Sequence, residues 1–367
     1  MMQPAQIETS PITLVWDIGT AYELFISLNV LHNPERHGLR ASWAAGVRSR
    51  IPPTERKFLE EVIPFMSCCP ASWVYRLPQP KDAISAIWAL RQIPAEKRML
   101  ELLDVECWDK PQIREIVLKI AAQRSWSNHD LAAFKEIFQE KHMEETKGVD
   151  KYLDWWARPE EFGEAMVAAL QAYHLAFFSE EEKRVAPILQ AGLERAKEKA
   201  QRLSVPDLIV ELSQGLHLDE LKVKELIIIP AFWTTPLVVV DEINEDLGIF
   251  LFGARPATMS AIPGELVPDG LLRALKALAD PTRLKIIHFL THEELTPSEL
   301  SRRLSLRAPT VTHHLSELRL AGLVNLTMRG QEKLYSSRLE AIAEAFGNLQ
   351  EFLKVGEGLR PAPTKDK

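Results

Sequence analysis

Ala308-Pro-Thr-Val-Thr-His-His-Leu-Ser-Glu-Leu-Arg-Leu-Ala-Gly-Leu323 is the stretch whose reading decides the fold. Val311, Leu315 and Leu318 recur at i, i+4 and i+7, so they form one apolar stripe on a helix. Thr310, Thr312, His313, Ser316 and Glu317 fall off that stripe. Pro309 suits the first turn, where the amide it lacks would be unpaired anyway, and Gly322 suits the end. The outward face carries short hydroxyl and imidazole groups and no long carboxylate before Glu317.

The flanks extend the pattern. Thr296-Pro-Ser-Glu299 is a capping box with proline at the first helical position, and it opens a helix through Leu300 and Leu304. A short link, Ser305 to Ala308, joins the two helices into a helix-turn-helix. Upstream, Asp280-Pro281 caps a helix with Leu284, Ile287 and Leu290 on its apolar face. Downstream, residues 323–328 and 332–337 are strand-like, and Arg329-Gly330-Gln331 between them is a hairpin tip, which makes a wing. Short polar groups near a helix N-terminus suit a duplex major groove about 12 Å wide. Thr310, Thr312, His313 and Ser316 are therefore the expected groove-facing residues. Arg307 is placed for a phosphate or a guanine edge, and His314 for a phosphate or for bracing the turn. Arg329 and Lys333 on the wing are placed for the sugar–phosphate backbone or the minor groove.

Three ordered blocks make the pattern specific: Leu278-Ala-Asp-Pro-Thr-Arg-Leu-Lys-Ile-Ile287, Pro309-Thr-Val-Thr-His-His-Leu-Ser-Glu-Leu318 and Ala321-Gly-Leu-Val324. Over residues 270–352 the chain resembles the ArsR-type winged-helix repressors. The resemblance implies a homodimer held by the helices that flank the wing domain and bound to an inverted-repeat operator on double-stranded DNA. It also implies base contacts from Thr310, Thr312 and His313. Arg307 and Ala308 stand where the family often has a capping serine and a polar neighbour, so the operator sequence does not carry over. Relatives that sense metal use cysteines in the helix before the turn or His and Asp in the last helix. Pro297–Leu304 holds no Cys and residues 337–352 hold no His, so no metal and no cofactor is expected. The N-terminal 250 residues are similar to the large extensions of some ArsR-type regulators, through Ala21-Tyr-Glu-Leu-Phe-Ile-Ser-Leu28 and Asn33-Pro-Glu-Arg-His37.

Composition is that of an ordinary globular chain: 367 residues, 46% hydrophobic and 26% charged. The net charge of -7 argues at first against nucleic acid. Its distribution reverses that argument. Residues 271–338 hold 11 Lys and Arg against 6 Asp and Glu, a surplus of +5, while residues 1–270 hold 29 against 40, or -11. Phosphate binding is a local matter, so a basic module can sit on an acidic body. Three cysteines, Cys68, Cys69 and Cys107, make no disulfide framework. The N-terminus shows no basic stretch ahead of an apolar run, and the longest apolar stretch, 226–240, is broken by Pro230, Thr234, Thr235 and Pro236. A cytoplasmic protein with no membrane segment is expected.

The expected architecture is mainly α with small β elements, in four parts. Residues 1–254 form a mostly helical regulatory domain that receives input from a non-metal effector, a small molecule, or from a partner, 255–269 a linker rich in Pro, Gly and Ala, 270–353 the winged helix-turn-helix and 354–367 a disordered tail. Within the first part, residues 12–16 read as a strand, and helices follow from Thr20, near 39–50, 54–65, 82–91, 95–105, 111–124, 129–145, 150–157 and 160–178. Ser179-Glu-Glu-Glu182 reads as a second capping box, and Pro187 as a kink or the true start of that helix. Runs at 221–230, 237–241 and 248–252 read as a small antiparallel sheet of three strands closing the domain.

Other chemistry-bearing residues weigh less. His313 and His314 diverge by about 100° on a helix, which makes sharing one ion awkward. His288 and His292 stand at i, i+4 with no third ligand apparent. Cys68-Cys69 reads as buried thiols before a redox pair. His32 and His37 flank a turn and read as surface residues. The doublets Trp155-Trp156, Phe177-Phe178 and Phe232-Trp233 read as core, with an apolar ligand pocket as the alternative. No phosphate loop, nucleophile elbow or His-Glu-x-x-His motif occurs, which argues against an enzyme. Two readings follow: a DNA-binding regulator, a repressor, with non-metal input through its N-terminal domain, or an N-terminal enzyme or interaction scaffold for which DNA binding is secondary.

Overall fold

The computed structural model describes residues 12–66, 69–103, 111–140, 148–218, 221–244, 246–330 and 332–355. Cys68, Cys107, Gln331 and the expected disordered tail from residue 356 lie outside them. The chain forms two compact units: Met1–Leu193 with Lys222–Thr234 and Val239–Leu251, and Glu194–Leu221 with Thr235–Val238 and Phe252–Lys367.

The first unit opens with β1 (Thr13–Trp16) and continues through α1 (Thr20–His32), α2 (Ala41–Arg48), α3 (Pro53–Val62), α4 (Ala71–Arg76), α5 (Ala83–Gln92) and α6 (Ala95–Leu103). Then come α7 (Pro111–Gln123), α8 (Asn128–Glu140), α9 (Val149–Trp156), α10 (Pro159–Tyr173) and the start of α11 (Ser179–Ala200). The short α4 has no counterpart in the expected helices. Almost every residue of α1 is buried, including Glu23, whose carboxylate accepts the backbone amides of Phe232 and Trp233. Lys81 and Asp17 form a buried ion pair at 2.5 Å, and the Tyr22 hydroxyl donates to the same carboxylate. Trp156, Phe178, Phe232 and Trp233 are core, and Cys69 is buried. His37 is buried as well, against the surface position expected of it.

Two expectations for this unit fail for identifiable reasons. Ser179 caps nothing, because α10 runs into α11 through a π-helical turn, His174–Phe178. Glu182 turns away from the backbone: its carboxylate accepts the Thr20 hydroxyl at 2.5 Å and the Ala83 amide at 2.9 Å. Pro187 lies inside α11. The sheet has four strands, not three, in the order β1, β3 (Glu225–Ala231), β5 (Leu247–Gly253), β4 (Val239–Glu242). It is mixed: β1 runs parallel to β3, and β4 antiparallel to β5. The apolar run of β3 is buried from Leu226 to Ala231, as a strand covered on both faces must be, and it takes a neighbour on each edge.

The second unit is built around α13 (Asp269–Leu278), α14 (Pro281–Leu290), α15 (Pro297–Leu304), α16 (Ala308–Leu320), the hairpin β6 (Val324–Arg329) and β7 (Glu332–Ser337), and α17 (Leu339–Val355). Its core gathers Ile286, Leu290, Leu300, Leu315, Leu318 and Tyr335. Each fully buried aliphatic side chain stabilises it by about 1.5–3 kcal/mol. Two earlier stretches belong to it. Residues 255–269, expected as a linker, are hydrogen-bonded. Asp269 accepts the Ser260 hydroxyl at 2.9 Å and the Ala261 amide at 2.7 Å, with Arg255 3.4 Å from its carboxylate. Residues 205–218, placed by sequence in the N-terminal domain, form α12 (Val205–Leu212) and β2 (Leu216–Leu218), and β2 is the third strand of the wing sheet, parallel to β6.

Candidate nucleic-acid interface

The turn between α15 and α16 is set by local chemistry. Thr296 and Glu299 close the capping box in both directions, with Glu299 accepting the Thr296 amide at 2.8 Å. Ser305 ends α15 in the left-handed region at φ +53°, and the Ser301 hydroxyl donates to Leu306 O at 2.5 Å. Arg307 is the N-cap of α16 in extended backbone, and its side chain makes no cap bond. The guanidinium stays exposed at the positive end of the helix.

α16 buries Val311, Leu315 and Leu318, the stripe expected from spacing. Thr310, Thr312, His313 and Ser316 are exposed on the other side. His314 is not among them. It is half-buried, with Nδ1 out of solvent, near Asp280. Asp280 is the N-cap of α14: it accepts the amides of Thr282 at 2.8 Å and Arg283 at 2.9 Å. These amide bonds hold its carboxyl below the usual range, and the His314 charge contributes least. Of the expected contact residues, His314 is therefore the one that does not lie on the exposed face. Arg283 ties the same region from the other side, donating to Ala277 O and Lys276 O at 2.9 Å.

In the wing, β6 and β7 pair antiparallel from Val324–Ser337 to Arg329–Glu332. Gly330 takes φ +58° at the tip, and Arg329 and Lys333 are exposed beside it. Arg329 Nη2 stands 3.7 Å from Glu294, so the tip carries a weak ion pair as well as charge. The far edge of β7 is held by a bridge between Leu295 and Tyr335. Apart from His314, the expected contact residues therefore fall into two exposed groups on one unit, the N-terminal half of α16 with its N-cap and the wing tip.

His288 and His292 are stacked edge to face at 5.1 Å, with His292 Nδ1 donating to His288 O at 3.1 Å. Among the described residues no group of three or more His, Cys, Asp or Glu stands where it could hold a metal ion. No described helix is long and apolar enough to cross a membrane.

Sequence reasoning missed Arg319 and Arg338, whose guanidiniums hold the end of α12. Arg319 donates to Gln214 O at 2.6 Å and Ser213 O at 2.8 Å. Arg338 donates to Gln214 O at 3.1 Å and Gly322 O at 2.9 Å. Burial, with the charge of Arg338 beside it, pushes the Arg319 guanidinium down to about 10. A readable signal was present in Ser204-Val-Pro-Asp207, an N-cap with proline in the first turn, where Ser204 accepts the Asp207 amide.

A family model described as a helix-turn-helix domain matches residues 278–327. The nodulation protein NolR of Rhizobium meliloti is 33% identical over 96 residues, which is 26% of this chain and 79% of NolR. The HTH-type transcriptional regulator CmtR of Mycobacterium tuberculosis is 38% identical over 85 residues, 23% of this chain and 72% of CmtR. The transcriptional repressor SdpR of Bacillus subtilis is 27% identical over 82 residues, 22% of this chain and 91% of SdpR.

Proposed function

The chain belongs to the ArsR-type helix-turn-helix transcriptional regulators, and on that premise we propose that it represses transcription as a homodimer on an inverted-repeat operator. The observation that carries this reading is the exposed row Thr310, Thr312, His313 and Ser316, opposite the buried Val311, Leu315 and Leu318. A helix anchored by one face and lined on the other with short donors and acceptors matches base edges in a major groove. Arg307, Arg329 and Lys333 supply phosphate contacts around it.

Support for the dimer comes from α17. Leu339, Phe346 and Leu353 are 57%, 53% and 62% exposed, and they recur every seven residues along one side of that helix. A second copy of α17 is the surface that would cover them. SdpR, named a repressor, supports the sign of regulation. The first unit is proposed as a non-catalytic receiver of a non-metal effector or partner signal, acting in the cytoplasm, where the DNA is.

Selection from a pool of random duplexes by the full-length protein tests the reading. It should enrich an inverted repeat with half-sites about one helical turn apart. Recovery of the input pool with no enriched sequence would sink it.

A further inference from the structure

The wing sheet is completed by a strand that lies more than a hundred residues upstream of its neighbour. Leu216, His217 and Leu218 of β2 align with Leu326, Thr327 and Met328 of β6. Gly215 makes the approach possible. Its φ is +97°, and a Cβ there would stand 2.2 Å from Asn325 Oδ1. Without one, Leu326 N reaches Gly215 O at 2.8 Å. The last carbonyls of a helix have no partners within it and carry its negative end. Here Ser213 O and Gln214 O at the end of α12 accept from Arg319 on α16 and Arg338 just after β7. Arg319 lies seven residues past Thr312, about two turns along the same face of α16. The end of α12 therefore closes off the C-terminal end of the face that Thr312 belongs to, and β2 closes the free edge of the wing.

A two-stranded hairpin is marginal by itself; this one rests on the core through Val324 and Tyr335 and is bridged at Tyr335, and β2 supplies the neighbour on its other edge. We propose that the segment 205–218 is a clamp on the DNA-binding face: docked through Arg319, Arg338 and Gly215, it sets the wing and the end of α16 in the arrangement that binds duplex. The proposal rests on the DNA-binding reading above. It makes Arg319 and Arg338 positioning residues, acting on DNA through the wing without touching it. The segment belongs to the first stretch of chain in this unit, Glu194–Leu221.

Gly215→Val in the full chain is the direct test. It forces a side chain into the space beside Asn325 and disfavours φ +97°. Hydrogen exchange at the Leu326 amide reads docking, slow in the wild type and at least about tenfold faster in the variant. Affinity for a duplex selected from the random pool should fall by about fivefold or more. The Arg329→Ala/Lys333→Ala pair should then cost less in the Gly215→Val background than in the wild type, because the clamp acts through the wing. A thermal melt shows whether Gly215→Val folds. If it does not, Arg319→Met carries the same readouts. Three results would overturn the clamp: a fast Leu326 amide in the wild type, unchanged affinity once that amide is freed, or additive losses in the cycle. Should the wild type select no duplex at all, the DNA reading has failed. The clamp on DNA binding falls with it, and a slow Leu326 amide would then show only that the segment is docked.

Discussion

His32, in the last turn of α1, is held neutral. Burial pushes its pKa down to about 4, with Arg48 adding to the effect and the bond from Nδ1 to Leu28 O at 2.8 Å working against it. The folded value lies below the unfolded one, so as pH falls from about 6.5 to about 4 the unfolded chain takes a proton that the folded chain refuses. Stability is complete above that window and drops through it, by up to about 3 kcal/mol. Urea titrations between pH 7 and 4 should show this slope, and His32→Gln should flatten it. A slope unchanged by the substitution would mean that other groups carry the acid limb. Leu315 is fully buried at the centre of the winged-helix core. Leu315→Ala should destabilise the protein by about 2–5 kcal/mol, measured by the same titration.

At the scale of elements, α17 makes the dimer testable. Phe346→Glu with Leu353→Glu puts two charges on the proposed dimer face without touching α16. Sedimentation should show a dimer converted to monomer, with affinity for the selected inverted repeat reduced. A wild-type monomer, or a variant that stays dimeric, would remove α17 from the interface. The elements also show what was legible in the sequence. α15 and α16 could be read because spacing, a capping box and a proline fix them locally, and the exposed row on α16 followed from the same period. The parallel pairing of β1 with β3 could not, since the partners lie about 200 residues apart and nothing local specifies them. The same holds for β2 on β6. Ser179–Glu182 misled because the cap pattern is satisfied by composition alone, whereas the π-helical turn leaves no helix start to cap. His314 follows His313 by one step of about 100° on α16, and that step takes it from the exposed face to a half-buried position.

At the scale of the whole molecule, charge is divided unevenly, -11 over residues 1–270 and +5 over 271–338. An anionic body opposes nonspecific attraction to DNA, so binding should depend strongly on the cations near α16 and the wing. Arg329→Ala with Lys333→Ala should weaken binding to every duplex alike. It should also flatten the dependence of log affinity on log salt by about two, one for each phosphate that then keeps its counterion. A deficit confined to one sequence would contradict a backbone role for the wing. The account as a whole stands on the outward face of α16 reading base edges, and Thr312 tests that most directly. Affinities of wild type and Thr312→Ala should be measured over a set of duplexes in which each operator base pair is changed in turn. The account predicts a loss of about 1–3 kcal/mol that vanishes when one particular base pair is altered. A loss of the same size on every duplex, or none on any, would contradict it.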